Sequence, residues 1–98
     1  LAFGTYMGIS PYDTQLASMG KKDDINSGGK QMPSHFSHRE KGILSQSSPV
    51  ATQIPYSVGA ALALKMDQKS NIATATVGEG SSNQGDFHEG LHYAGVQK

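Results

Sequence analysis

Ile72-Ala73-Thr74-Ala75-Thr76-Val77-Gly78-Glu79-Gly80-Ser81-Ser82-Asn83-Gln84-Gly85-Asp86 is the stretch whose reading decides the fold. Its first six residues alternate Ile72, Thr74 and Thr76 with Ala73, Ala75 and Val77, and neither set is strongly polar. A strand covered on both faces, as in a parallel sheet, carries that pattern. A helix follows from Asp86 to Val96, with Phe87, Leu91 and Ala94 on one stripe. Asp86 and Glu89 are expected in its first turn, where the dipole favours carboxylates. Gly78–Asp86 is then a strand-to-helix junction, the place where open α/β sheets bind ligands. Gly78 and Gly80 let a backbone approach a ligand closely, and the helix start offers N–H groups to an anion. Glu79 between them would repel a phosphate unless a divalent cation bridged the two. The junction reads as a metal-bridged diphosphate site.

Upstream of the strand, Thr52 or Gln53 caps a helix that runs to about Met66, with Pro55 in its first turn. Its centre, Val58-Gly59-Ala60-Ala61-Leu62-Ala63-Leu64, is apolar all round and is predicted to be buried. Helix, strand and helix joined by glycine-rich turns make half of a doubly wound α/β domain with a parallel sheet. Residues 1–98 are read as part of one such domain. Nearer the start, Ser10 as N-cap and Pro11 at the first helical position open a helix to about Met19, which Gly20 closes. Tyr12, Leu16 and Met19 share one of its faces, and residues 1–10 read as a loop or a short helical turn. Residues 21–49 are polar and show no strand pattern. They make either a surface loop or an active-site loop, with Gly28 and Gly29 supplying unusual backbone angles and Lys30, His35 and Arg39 supplying polarity.

Charge balance narrows the partners. Lys and Arg number 8, as do Asp and Glu, so there is no electrostatic case for nucleic acid or an anionic membrane. No cysteine is present, which excludes disulfides and thiolate metal sites and suits a reducing compartment. No apolar run approaches a membrane span. With 36% hydrophobic residues and 12 glycines, the chain is expected to bury apolar surface against further sequence or a partner.

Other chemistries fit less well. Asn83 stands where a dinucleotide fingerprint needs its third glycine, and no Gly-Lys-Ser/Thr precedes a helix as a nucleotide P-loop requires. His88-Glu89-Gly90-Leu91-His92 formally matches the zinc-protease helix motif. Gly90 weakens such a helix by up to ~1 kcal/mol, and no third ligand is visible downstream. Ser47 and Ser48 lack a nucleophile elbow. The hydroxyl- and carbonyl-rich run Ser47-Ser48-Pro49-Val50-Ala51-Thr52-Gln53 suits a turn that contacts a hard cation or a cofactor better than it suits a nucleophile, although by itself it reads first as an ordinary helix N-cap.

Four stretches occur in order: Gly28-Gly29-Lys30-Gln31-Met32-Pro33-Ser34-His35-Phe36, Ser47-Ser48-Pro49-Val50-Ala51-Thr52-Gln53-Ile54-Pro55, Val58-Gly59-Ala60-Ala61, and Gly78 to Gly90. Together they resemble the alpha subunit of the thiamine-diphosphate-dependent decarboxylase component of 2-oxo acid dehydrogenase complexes. The Gly-Glu-Gly of residues 78–80 is closer to the branched-chain (3-methyl-2-oxobutanoate) members than to the pyruvate enzymes. The resemblance covers the chain from about Pro11 onward. It implies that Gly78, Glu79, Gly80 and Ser81 begin the thiamine diphosphate motif, with Glu79 as the Mg²⁺ ligand and the Gly80 and Ser81 backbone near the diphosphate. It implies main-chain contacts from Ser48 and Val50 to the aminopyrimidine. It also places Ser47, Pro49, Thr52 and Gln53 around a K⁺ ion, and His88 and His92 on a supporting helix rather than on zinc.

The same resemblance implies a heterotetramer with a beta subunit, a lipoyl acyltransferase partner, and a location in the bacterial cytoplasm ahead of the mitochondrial matrix. The family's second metal ligand, its diphosphate-binding Tyr-Arg and its catalytic histidine have no counterpart in this sequence, and the activating glutamate belongs to the beta subunit. No catalytic residue is therefore assigned, and the chain by itself is expected to be inactive. The alternatives are a pyruvate or acetoin dehydrogenase alpha subunit and an inert packing module.

Overall fold

A computed structural model of the chain describes residues 2–98, so Leu1 of the predicted N-terminal loop or turn lies outside the described residues. The chain divides into two units, Leu1–Ser48 and Pro49–Lys98.

In the first unit, α1 (Ala2–Tyr6) and α2 (Pro11–Ser18) precede a long non-helical segment. Of the loop or short helical turn expected over residues 1–10, Ala2–Tyr6 is helical. Gly4 explains how so short a helix is held: a Cβ on it would lie 3.3 Å from the Phe36 ring and 3.5 Å from Ile9. The small core of this unit consists of Ile9, Phe36 and Ile43, with Met7 against it. Ser10 caps α2 as expected. Its hydroxyl accepts from the Asp13 N–H at 3.1 Å, and the Asp13 carboxylate accepts from the Ser10 N–H at 3.1 Å. This reciprocal capping box contributes about 1 kcal/mol. Gly20 follows the helix at φ +60°.

The polar segment beyond Gly20 is ordered by local bonds rather than by a sheet. His38 and Ile43 form one isolated antiparallel bridge around a 3-10 turn, Arg39–Lys41. The larger organiser is Asp24, only 6% exposed. Its Oδ1 accepts from the Asn26 N–H at 3.0 Å and from the Asn26 amide at 2.9 Å. Its Oδ2 accepts from the Ser27 N–H at 3.1 Å, the Ser27 hydroxyl at 2.7 Å and the Gly29 N–H at 3.1 Å. Ser27 passes the tie onward, its hydroxyl accepting from the N–H groups of Lys30 and Gln31. Burial acts to raise the Asp24 pKa, but these donors outweigh it and hold the carboxyl well below the usual range.

The second unit contains α3 (Gln53–Met66), a 3-10 turn (Glu79–Asn83) and α4 (Gly85–Gln97). Thr52 is the N-cap of α3, yet its hydroxyl donates to the Pro49 carbonyl at 3.1 Å rather than capping the helix. Ile54 is the one buried residue of α3. The prediction that α3 is buried all round is therefore not met among the described residues, because α4 covers a single stripe of it. That contact is set by Gly90, the buried residue of α4, which sits on Ile54 and Pro55. Leu91, on the predicted apolar stripe, is 51% exposed. Asp86 lies in the first turn of α4, while Glu89 falls just beyond it.

At the far end of α3, the Lys65 ammonium donates to the Gln97 carbonyl at 3.0 Å and to the Lys98 carbonyl. Ile54 beside Gly90 and Lys65 beside Gln97 make the two helices run in the same direction. The link between them must then travel back along α3, which at 1.5 Å per residue is about 21 Å long. Six extended residues cover about 20 Å, and residues 72–77 lie in that link. They have no ladder partner among the described residues, so the predicted strand is not formed as a paired strand. A strand exists only through its neighbours, and the described residues supply none.

Candidate functional site

Gly78 ends the non-helical link in an extended conformation and is the N-cap of the 3-10 turn, which begins at Glu79. The Ser81 N–H donates to the Gly78 carbonyl at 3.0 Å, and the Ser82 hydroxyl to the Glu79 carbonyl at 2.8 Å. These bonds use main-chain acceptors and leave the Glu79 side chain alone. Among the described residues its carboxylate is exposed and makes no hydrogen bond or ion pair. A Cβ on Gly80 would meet nothing within 4 Å, so the backbone there is open to close approach. An unpaired carboxylate beside an open main chain suits a hard cation and the oxygen ligand it carries. The structure thus brings Gly78, Glu79, Gly80 and Ser81 onto one turn packed against α4.

The other predicted residues flank the start of α3. In the second unit, Val50 is 53% exposed and Ala51 is buried, although Ala51 has φ +69°. Gln53 Oε1 is buried there without a hydrogen-bond partner. In the first unit, Ser47 Oγ is buried and equally without one. Orphaned buried oxygens are costly unless something outside the protein satisfies them. The Thr52 hydroxyl donates its hydrogen bond to the Pro49 carbonyl, which leaves its own lone pairs free. Within the second unit, Thr52 and Gln53 thus each offer an oxygen of the kind a monovalent cation takes.

His35 carries a pairing that the sequence did not display. Its Nδ1 lies 3.0 Å from the Pro33 carbonyl and its Nε2 2.6 Å from the Ser48 hydroxyl, both within the first unit. A carbonyl only accepts, so Nδ1 bears the proton. In the neutral ring Nε2 then accepts from Ser48. The two residues are thirteen apart, and only the shared preference of His and Ser for hydrogen bonding could have hinted at it.

His88 and His92 lie exposed on α4, with the His88 ring edge-on to Phe87 at 5.5 Å. Among the described residues no group of three His, Asp or Glu side chains could hold a metal ion, so the zinc reading finds no third ligand. A hollow of about 260 Å³ lies in the first unit, lined by Ser37, Arg39, Gly42, Ile43, Leu44 and Ser45. Of the residues singled out in the sequence only Arg39 lines it, and none of the predicted cofactor or cation residues does.

The model of the dehydrogenase E1 component family matches residues 2–98. The chain is 50% identical over 91 residues to the 2-oxoisovalerate dehydrogenase subunit alpha of Bacillus subtilis, covering 93% of this chain and 28% of that protein. It is 44% identical over 101 residues to the mitochondrial subunit alpha of the mouse 2-oxoisovalerate dehydrogenase, covering 96% of this chain and 23% of that protein. An Arabidopsis thaliana mitochondrial subunit alpha 1 is 39% identical over 79 residues, covering 81% of this chain and 16% of that protein. The chain thus spans about a quarter of the Bacillus and mouse proteins. No solved structure gives a significant match.

Proposed function

We propose a function on an established premise: this chain belongs to the dehydrogenase E1 component family. It is part of the alpha subunit of a thiamine-diphosphate-dependent enzyme that oxidatively decarboxylates branched-chain 2-oxo acids. The acyl group passes to the lipoyl arm of an acyltransferase partner. The observation that carries this reading is the 50% identity to a 2-oxoisovalerate dehydrogenase alpha subunit. The mouse and Arabidopsis relatives bear the same substrate name, which favours branched-chain acids over pyruvate or acetoin.

In this reading residues 1–98 belong to one cofactor-binding domain of doubly wound α/β type. The parallel course of α3 and α4, with a returning link between them, supports that architecture. The paired sheet would form with the rest of the subunit. Glu79 holds Mg²⁺, while the open main chain at Gly78, Gly80 and Ser81 lies against the diphosphate. Ser48 and Val50 contact the aminopyrimidine through main-chain groups. Ser47, Pro49, Thr52 and Gln53 supply oxygens to K⁺. When bound, thiamine diphosphate supplies the carbanion chemistry that releases CO₂ from the 2-oxo acid. The work of this chain is to neutralise the diphosphate through the Glu79-bound metal and to hold the aminopyrimidine turn still. A beta subunit in a heterotetramer and a lipoyl acyltransferase are the partners. No described helix is long and apolar enough to cross a membrane. By its family resemblance we place the protein in the bacterial cytoplasm ahead of the mitochondrial matrix.

Steady-state rates of the full-length subunit, assembled with its beta subunit, test the substrate. Branched-chain 2-oxo acids should exceed pyruvate in kcat/KM by ~10-fold or more, the scale set by pocket contacts to extra methyl groups. A preference for pyruvate would overturn the assignment.

A further inference from the structure

We propose that His35 is a positioning residue for the cofactor turn and acts through the hydroxyl of Ser48. The inference rests on the reading above, in which Ser48 meets the aminopyrimidine, and adds a side chain to which that reading gives no role.

Both ring nitrogens of His35 are committed, Nδ1–H to Pro33 O at 3.0 Å and Nε2 to Ser48 Oγ at 2.6 Å. The ring cannot rotate without breaking both bonds. The turn beneath it is built for this aim. The His35 N–H donates to the Met32 carbonyl at 3.1 Å, and Ser34 is held at φ +67°, a left-handed backbone that non-glycine residues rarely adopt. Such strain persists only where the surroundings enforce it. Upstream, the Asp24–Ser27 network fixes Lys30 and Gln31, so the chain enters the turn already anchored.

The consequence falls on Ser48, an exposed residue beside the buried, unpartnered hydroxyl of Ser47. A serine in that place would otherwise sample three hydroxyl-bearing rotamers. His35 selects one and accepts the hydrogen bond that the hydroxyl donates. Ser48 Oγ therefore faces outward only as an acceptor, and the main chain of Ser48 is held where the aminopyrimidine is to lie. His35 touches no ligand itself.

The test is thiamine diphosphate affinity, measured by calorimetry with Mg²⁺ on the full-length alpha subunit assembled with its beta subunit. His35→Phe removes the acceptor and should weaken binding ~10-fold, and Ser48→Ala should do the same. His35→Gln retains an acceptor oxygen at the reach of Nε2 and should recover binding to within about 3-fold of wild type. In a Ser48→Ala background, His35→Phe should change affinity by less than about 2-fold, because the pair acts as a unit. Additive losses, or a glutamine variant as weak as the phenylalanine one, overturn the positioning role. So does unchanged binding by assembled His35→Phe. If that variant fails to assemble, the glutamine and Ser48→Ala variants still decide. Wild-type protein that does not bind thiamine diphosphate overturns the cofactor reading itself, and the His35 role falls with it.

Discussion

Gly90 of α4 lies so close to Ile54 of α3 that a Cβ on Gly90 would stand 2.8 Å from Ile54 Cγ2 and 3.2 Å from the Pro55 nitrogen. That approach sets the parallel packing of the two helices behind the Glu79 turn. It also accounts for a glycine in the middle of a helix, where glycine costs about 1 kcal/mol relative to alanine. Gly90→Ala therefore carries opposed effects. Helix propensity improves by about 1 kcal/mol, while overpacking against Ile54 and the Pro55 backbone costs about 1–3 kcal/mol. The net expectation is a loss of about 1 kcal/mol in the full-length subunit, read as a lower Tm. In an Ile54→Ala background the clash is relieved, and Gly90→Ala should become neutral or stabilising. A Tm loss of equal size in both backgrounds would show that Ile54 is not what Gly90 accommodates.

Gly29 is a stronger case. Its φ is +77°, and a Cβ there would lie 2.5 Å from the backbone of Gly20 and 2.8 Å from the Lys21 carbonyl. Backbone atoms cannot swing aside as a side chain can. Left-handed strain of about 1–2 kcal/mol adds to the overlap. Gly29→Ala should cost about 3 kcal/mol, with the loss centred on residues 20–31. Hydrogen exchange should show faster exchange in that segment than in α3 or α4. A variant as protected as the wild type would refute the close backbone approach.

What the sequence made legible is what local chemistry specifies. Ser10, Pro11 and Asp13 set the start of α2 by capping, and Gly20 marks its end. Pro55 and the small apolar run carry α3 over Gln53–Met66, as predicted. Gly28 and Gly29 do take left-handed angles. What depended on distant neighbours was not legible. Residues 72–77 have strand composition, but ladder partners are not encoded in the segment itself. The buried stripe of α4 runs through Gly90, a residue without a side chain to count, so the periodicity of Phe87, Leu91 and Ala94 pointed beside it. Asp24 looked like one charge in a polar run. The turn-forming Asn-Ser-Gly-Gly after it was the available signal for a carboxylate hub.

The Asp24 hub makes a pH prediction. Its folded pKa is depressed below its unfolded value, so its contribution to stability is complete above the ordinary carboxylate range and is lost as pH falls through the folded value. Asp24→Asn removes the charge and part of the acceptor capacity, at about 2 kcal/mol for charged hydrogen bonds. The difference in urea midpoint between wild type and Asp24→Asn should be constant from about pH 6 to 8 and should shrink below about pH 4. A gap that widens on acidification would show that folding raises the Asp24 pKa rather than lowering it.

Ser47 separates a cation site from a packing defect. Its buried hydroxyl has no partner among the protein atoms. With no ion, deleting an unsatisfied buried hydroxyl should be neutral or stabilising, because the desolvation penalty disappears with it. With K⁺ bound there, Ser47→Ala should lower stability in K⁺ buffer and change little in K⁺-free buffer. The full-length assembled protein should therefore show a K⁺-dependent rise in Tm that Ser47→Ala reduces. A Tm insensitive to K⁺ in the wild type would remove the ion from Ser47.

Glu79 bears the most direct prediction. Its carboxylate is exposed, unpaired among the described residues, and attached to a turn whose internal bonds run through main-chain carbonyls and the Ser82 hydroxyl. Removing it should therefore cost the fold little, under about 0.5 kcal/mol as for a surface substitution. It should cost the metal much more, because a hard divalent ion held by few carboxylates loses a full charged ligand. Glu79→Gln in the assembled full-length subunit should leave Tm in metal-free buffer unchanged. It should raise the Mg²⁺ concentration needed for half-maximal thiamine diphosphate binding by ~10-fold or more, comparable to the loss of one charged contact. Mn²⁺, which also favours carboxylate oxygen, should recover part of that loss. An unchanged Mg²⁺ requirement would take Glu79 out of the metal site. A large drop in metal-free Tm would make it a structural residue of the turn.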